Sequence, residues 1–146
     1  LSRILPYKTD AGTGSLEQMA LAEFCKINFN SHVKMLRSEL QKKSEAICYA
    51  FDKYFGSSAE YKQPDGGIFI WVDMPKKVDT SRLYELALRE GVAINPGNEW
   101  SINPNGKHKM RLCFGNPSIR EIDEGIKLLA EICRNEFGLP TKIANI

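Results

Sequence analysis

The six residues Lys109-Met110-Arg111-Leu112-Cys113-Phe114 constrain the fold more than any other stretch of the chain. Their alternation predicts a strand with Met110, Leu112 and Phe114 on one face and Arg111 and Cys113 on the other. Arg111 is the odd residue. A guanidinium keeps its proton, so one held amid apolar neighbours requires an anion or several carbonyl groups within reach. One way to meet that need is a structural ion pair with an Asp or Glu of the same domain. The other is a fork for a substrate carboxylate, a task that the planar, bidentate guanidinium does better than an ammonium.

The rest of the chain supplies more strands and the helices to cover them. Pro64-Asp65-Gly66-Gly67 is a turn feeding Ile68-Phe69-Ile70-Trp71-Val72, a continuous apolar run too short for a helix, which predicts a strand buried on both faces. The two glycines suit either a close backbone approach to something bulky or a plain tight turn. Val92-Ala93-Ile94 reads as a short third strand, turned away by Pro96-Gly97. Residues 95–107, rich in Asn, Pro and Gly around Trp100 and Ile102, read as a long surface loop of the kind that carries function.

Four helices are expected. Ser15-Leu16-Glu17-Gln18 reads as a capping box opening a helix with Leu16, Met19, Ala20, Phe24 and Ile27 on its stripe, broken at residues 28–31. A longer helix over residues 31–55 presents Val33, Leu36, Leu40, Ile47, Phe51 and Tyr54, opens at His32 and stops at Gly56. Asp79-Thr80-Ser81 caps a third helix carrying Leu83, Leu86 and Ala87, closed by Gly91. Ser118-Ile119-Arg120-Glu121 is a second capping box, opening a helix with Ile119, Ile122, Ile126, Leu129 and Cys133 inward. Residues 1–14 read as an entry loop and residues 139–146 as a frayed tail. The fold class is α/β, or α+β: a small sheet of three or four strands covered by helices.

Composition narrows the function classes. Twenty basic and 18 acidic residues, mixed along the chain, leave a net charge of +2 and no basic stripe, so nucleic-acid contact by this segment is not expected. No apolar run is long enough for a membrane span and no signal pattern opens the chain, so a cytoplasmic protein is the expectation. Cys25, Cys48, Cys113 and Cys133 are widely spaced, and three of them fall on apolar faces, the pattern of reduced thiols rather than of a disulfide framework or a metal site. His32 and His108 share no ligand spacing with them, so no metal is expected.

In order, "GGIFIWVDMP", "GVAINPG", "MRLCF" and "SIREIDEGIKLLAEI" resemble the C-terminal small domain of the class I/II aminotransferases that use pyridoxal 5'-phosphate, and most of all the 2-aminoadipate and kynurenine aminotransferase branch. The resemblance spans residues 13–132. It implies a fold type I small domain with a mostly antiparallel sheet over residues 31–146, while residues 1–30 form the entry loop and first helix linked to a large domain. It also implies that Arg111 forks the α-carboxylate of an amino-acid substrate. The loop through Trp100 would lead toward the substrate mouth, and the segment around Thr13 and Ser15 would approach the neighbouring subunit's cofactor site.

The departure from the family pattern matters as much. In the family, the lysine that holds the cofactor as a Schiff base sits in a Ser-Lys motif followed by a phosphate-binding arginine, and Lys8 and Lys26 lack those neighbours. No catalytic residue is therefore assigned in this chain. The resemblance implies a C-terminal portion of a homodimeric enzyme acting on α-amino acids and 2-oxo acids, inactive without its large domain. Two alternatives stand beside it: part of an effector-sensing, aminotransferase-like domain of a transcription regulator, or a stand-alone small-molecule binding module.

Overall fold

The computed structural model describes residues 14–100 and 104–140. Two compact units divide the chain, residues 1–37 and 38–146. From Ser15 onward the first unit is helical: helix α1 runs over Ser15–Tyr54, so its opening turns belong to this unit. The expected break at residues 28–31 is absent. That stretch holds neither Pro nor Gly, and the Ser31 hydroxyl donates to the Asn28 carbonyl at 3.0 Å, bonding back onto the helix instead of competing with it. His32 accordingly lies inside α1, its ring edge-on to Phe24 at 5.3 Å. Ser15 is not the cap. The Gly14 carbonyl accepts the Gln18 N–H at 3.1 Å, which makes Gly14 the cap position and Ser15 the first helical residue. Leu16, Met19 and Ile27 are all more than two-thirds exposed.

The second unit is built on a four-stranded antiparallel sheet: β1 (Glu60–Tyr61), β2 (Phe69–Asp73), β3 (Asn95–Pro96) and β4 (Lys109–Cys113), in the order β1-β2-β4-β3. In β4 the expected alternation holds, with Met110 and Leu112 buried, Phe114 buried just beyond, and Arg111 and Cys113 on the other side. The strand expected to be buried on both faces is not. Ile70 and Val72 are wholly buried, whereas Phe69 is 40 % and Trp71 37 % exposed. Among the described residues the helices cover one face of the sheet, so β2 carries apolar side chains on its other, open face too. The Gly66-Gly67 pair is explained by the turn: Gly67 has φ +78°, and no described atom lies within 4 Å of where a Cβ would stand on either glycine.

The covered face shares one buried cluster with the later turns of α1, with α2 (Thr80–Arg89) and with α3 (Ile119–Phe137). Phe51, Phe55, Ile70, Leu83, Met110, Phe114 and Leu129 form the centre of the core. Asp79 caps α2, its carboxylate accepting from the Ser81 and Arg82 N–H groups. At the other end, the Gly91 N–H reaches the Leu88 carbonyl and the Val92 N–H the Ala87 carbonyl, with Gly91 at φ +84°. This cap consumes the Val92 donor, which is why the strand expected at residues 92–94 pairs only from Asn95 onward. The Ser118 capping box of α3 forms as expected, with Glu121 answering the Ser118 N–H at 2.7 Å. The tail does not fray where expected: Leu139 is buried, its N–H donates to the Cys133 carbonyl, and the Pro140 carbonyl accepts from Ser58. Residues 141–146, like residues 1–13 and Ile102, lie outside the described residues.

Candidate carboxylate-binding site

Arg111 sits at the centre of the open sheet face, opposite Trp71 on β2 and Asn95 on β3. Two aromatic rings hold its head. Cζ stands 4.1 Å from the Phe69 ring centroid and 3.7 Å from that of Trp100, both within cation–π range. Phe69 arrives by register, since it lies two positions along β2 from the residue facing Arg111. Trp100 arrives from the loop that the sequence marks as functional.

No carboxylate among the described residues lies within ion-pair distance of Arg111. Its Nε is buried without a hydrogen-bond partner. The two terminal nitrogens are not among the buried atoms left without a partner, and the residue as a whole is half-buried, with both rings against the guanidinium carbon. The structural ion pair with an Asp or Glu of the same domain, one of the two readings of this strand, is thus absent among the described residues. What remains is a planar cation against two aromatic rings with no carboxylate partner among the described residues, which makes it a candidate receptor for a planar anion.

The loop carrying Trp100 is tied down on both sides. Gly97 passes so close to the neighbouring backbone that a Cβ there would stand 2.6 Å from the Lys109 carbonyl oxygen and 2.7 Å from that of Gly106. Buried Thr80 donates both its N–H and its hydroxyl to the Lys107 carbonyl, at 2.9 and 3.0 Å. Asn98 donates to the Ser81 hydroxyl at 3.2 Å, and Lys107 pairs with Asp79 at 3.1 Å. Burial acts to raise the Asp79 carboxyl, but the Lys107 ammonium and the Arg82 and Ser81 N–H groups outweigh it and hold it below its ordinary value. The sequence singles out Trp100 only as part of a loop. Its partnership with Arg111 and Phe69 depends on the turn at residues 97–99, for which the sequence offers no signal beyond Pro96-Gly97.

Lys109, the only lysine in the sheet among the described residues, is bound to Asp73 at 2.6 Å across the β2–β4 register. It is spoken for, and does not fit the free amine that a Schiff base requires. Nor do the described residues around Arg111 form a second cluster of donors for a cofactor phosphate. Among the described residues the arrangement offers one guanidinium with room for a single carboxylate and does not fit pyridoxal phosphate itself. Ser15 lies at the start of α1 in the other unit, and Thr13 lies outside the described residues. A cleft of about 760 Å³ lies elsewhere, between Val92, Leu112, Ile126 and Leu129, and Arg111 does not line it. The thiols of Cys48 and Cys133 are buried, with burial pushing Cys133 up to about 12, while Cys113 is exposed on the Arg111 face.

Comparison with known proteins matches residues 7–129 to the family described as aminotransferase class I and II. Among solved structures, the chain is similar to the α-aminoadipate aminotransferase of Thermus thermophilus, crystallised with N-(5'-phosphopyridoxyl)-L-leucine. That match has a TM-score of 0.81 and 29 % identity, over 90 % of this chain and 34 % of that one. It is also similar to the kynurenine aminotransferase of Pyrococcus horikoshii, with a TM-score of 0.69 and 31 % identity, over 76 % of this chain and 28 % of that one. An HTH-type transcriptional regulator of Bacillus subtilis, YisV, is 30 % identical over 87 % of this chain and 26 % of its own length. The chain spans about a third of the length of the first curated relatives it matches. A family match over most of the chain, together with an antiparallel sheet that superposes on solved members, shows that the chain belongs to the class I and II aminotransferases, in their 2-aminoadipate and kynurenine aminotransferase-like branch.

Proposed function

We propose that the chain is the C-terminal small-domain portion of a pyridoxal-phosphate-dependent aminotransferase, one that moves an amino group between an α-amino acid and a 2-oxo acid. The observation that carries this reading is the Arg111 head: a permanent cation on an open sheet face, stacked against two rings and without a carboxylate partner among the described residues. Arg111 receives the substrate α-carboxylate and so fixes the orientation of the Cα–H bond, and such positioning supplies much of the advantage of a bound reactant. Residues 1–30 link to the large domain and residues 31–146 form the small domain. In the complete homodimer the cofactor supplies the electron sink, and the lysine that carries it comes from outside this chain. Lys109 is not that lysine, because Asp73 holds it.

The test is Arg111→Ala in the complete, cofactor-loaded protein. Truncating one partner of a desolvated charge pair costs about 2–5 kcal/mol, so apparent affinity for amino-acid substrates should fall by more than tenfold. Unaltered affinity would remove Arg111 from the site. A second reading is favoured by the resemblance to HTH-type regulators: the same face binds an amino-acid effector without turning it over. The complete protein separates the two, since an enzyme consumes amino acid and 2-oxo acid together, whereas a sensor shifts DNA binding on amino-acid addition and leaves both unconsumed.

A further inference from the structure

We infer that Trp100 is a positioning residue for the Arg111 fork, and that the site it shapes takes planar carboxylates in preference to tetrahedral oxyanions. The inference rests on the carboxylate reading of Arg111 proposed above. Phe69 and Trp100 stand 4.1 and 3.7 Å from the same guanidinium carbon, so each ring presents its face to the head group, and a ligand in the guanidinium plane is the one that meets the N–H donors without meeting those faces. Nε lies buried with no partner, which removes one side of the fork from use and leaves the Nη donors as the receptor.

A carboxylate meets the guanidinium in its plane, with both oxygens on N–H donors. A phosphate or sulfate also carries oxygens out of that plane, where they face the negative π surfaces of the rings. The device is preorganised. Gly97 lets the loop pass against β4, and Thr80 and Asn98 tie the loop to α2, so Trp100 is delivered to Arg111 by hydrogen bonds that do not involve the ligand. Phe69, held in β2, is fixed by sheet register. Trp100 is therefore the half of the clamp that a substitution can remove without touching the core, being 53 % exposed.

The experiment is ¹⁵N-resolved NMR of the 146-residue chain, following the Arg111 Nε–H signal while propionate or inorganic phosphate is titrated. In the unsubstituted chain the signal should be protected from solvent exchange and shifted upfield by the two rings, and propionate should bind more tightly than phosphate. Trp100→Ala should weaken propionate binding about 3–10-fold, the scale of one cation–π contact. It should leave phosphate within about twofold on the same scale, and return the Nε–H signal toward the position of a free arginine. Trp100→Phe should restore most of the shift and of the preference, which a merely structural role for the indole would not do. The inference falls if Trp100→Ala leaves the Nε–H signal and the propionate-to-phosphate ratio unaltered, or if the unsubstituted chain does not prefer propionate. Arg111→Gln tests the underlying reading separately. Should it leave propionate binding intact, the carboxylate role of Arg111 fails. Should it abolish binding while Trp100→Ala does nothing, only the role of Trp100 fails.

Discussion

At Gly97 a single hydrogen atom decides whether the site is assembled. A methyl group there would sit 2.6 Å from one carbonyl oxygen and 2.7 Å from another, both backbone atoms that cannot step aside as a flexible side chain would. Overpacking of this kind costs about 1–3 kcal/mol, and here the backbone shift that relieves it runs directly into Trp100, three residues on. Gly97→Ala should therefore lower the urea midpoint and, in the NMR experiment, loosen the Arg111 Nε–H signal much as Trp100→Ala does. A variant that lost stability but kept that signal would show that the loop reaches Arg111 by another route. Gly67, with its positive φ and open surroundings, makes the contrast. Its substitution strains one turn, whereas substitution of Gly97 displaces a functional ring.

Elements in this chain are secured chiefly at their ends. α3 begins with a reciprocal Ser118–Glu121 box and ends at Gly138 in the left-handed region, and between them Ile122, Ile126, Leu129 and Cys133 form an inward stripe. Ser118→Ala removes the acceptor for the Glu121 N–H, and loss of such a cap costs about 1 kcal/mol. A fall of that size in the free energy of chemical unfolding is expected, against about 3–5 kcal/mol for Phe51→Ala in the core. If the two variants were equally destabilised, the cap would be bearing more than a helix end. α1 behaves differently. Its turns from Ile47 to Tyr54 are held by burial, and Lys53 and Tyr54 both reach Asp123 on α3, at 3.0 and 2.8 Å.

For the whole molecule, pH and association are the two accessible readouts. Burial acts to raise the Asp123 carboxyl, but hydrogen bonds from Lys53 and Tyr54 outweigh it, and Asp79 is likewise held low. Both carboxyls thus titrate below their ordinary 3.8 when the chain is folded. A depressed carboxylate contributes stability that is present in full above the unfolded value and is lost as pH falls through the folded one. The urea midpoint should accordingly stay level from neutrality down to about pH 5 and then drop, more gently in Asp123→Asn than in the unsubstituted chain. An unchanged acid limb in that variant would exclude Asp123 as a contributor. Leu16, Met19, Ile27 and Phe29 are each more than half exposed on one helix, and exposed apolar side chains grouped on one element favour association. Light scattering should show concentration-dependent association of the 146-residue chain, reduced by Met19→Lys with Ile27→Lys. A strictly monomeric chain would contradict that.

The sequence by itself determined the strand around Arg111, the caps at Asp79 and Ser118 and the stop at Gly91, because each depends on residues within a few positions of one another, and it showed the likeness to the aminotransferases through several such short motifs in a fixed order. Alternation, a capping hydroxyl and a left-handed glycine act locally, and the chain carries them wherever it goes. It could not say that α1 runs unbroken past Asn28, since the residues there permit a turn as readily as a helix and cooperativity carries the ladder through. Nor could it say that only one face of β2 is covered, because burial depends on what packs from elsewhere. Tertiary structure alone decided the surroundings of Arg111. A guanidinium in an apolar strand demands company, and whether that company is an internal carboxylate or two rings depends on where a loop earlier in the chain comes to rest.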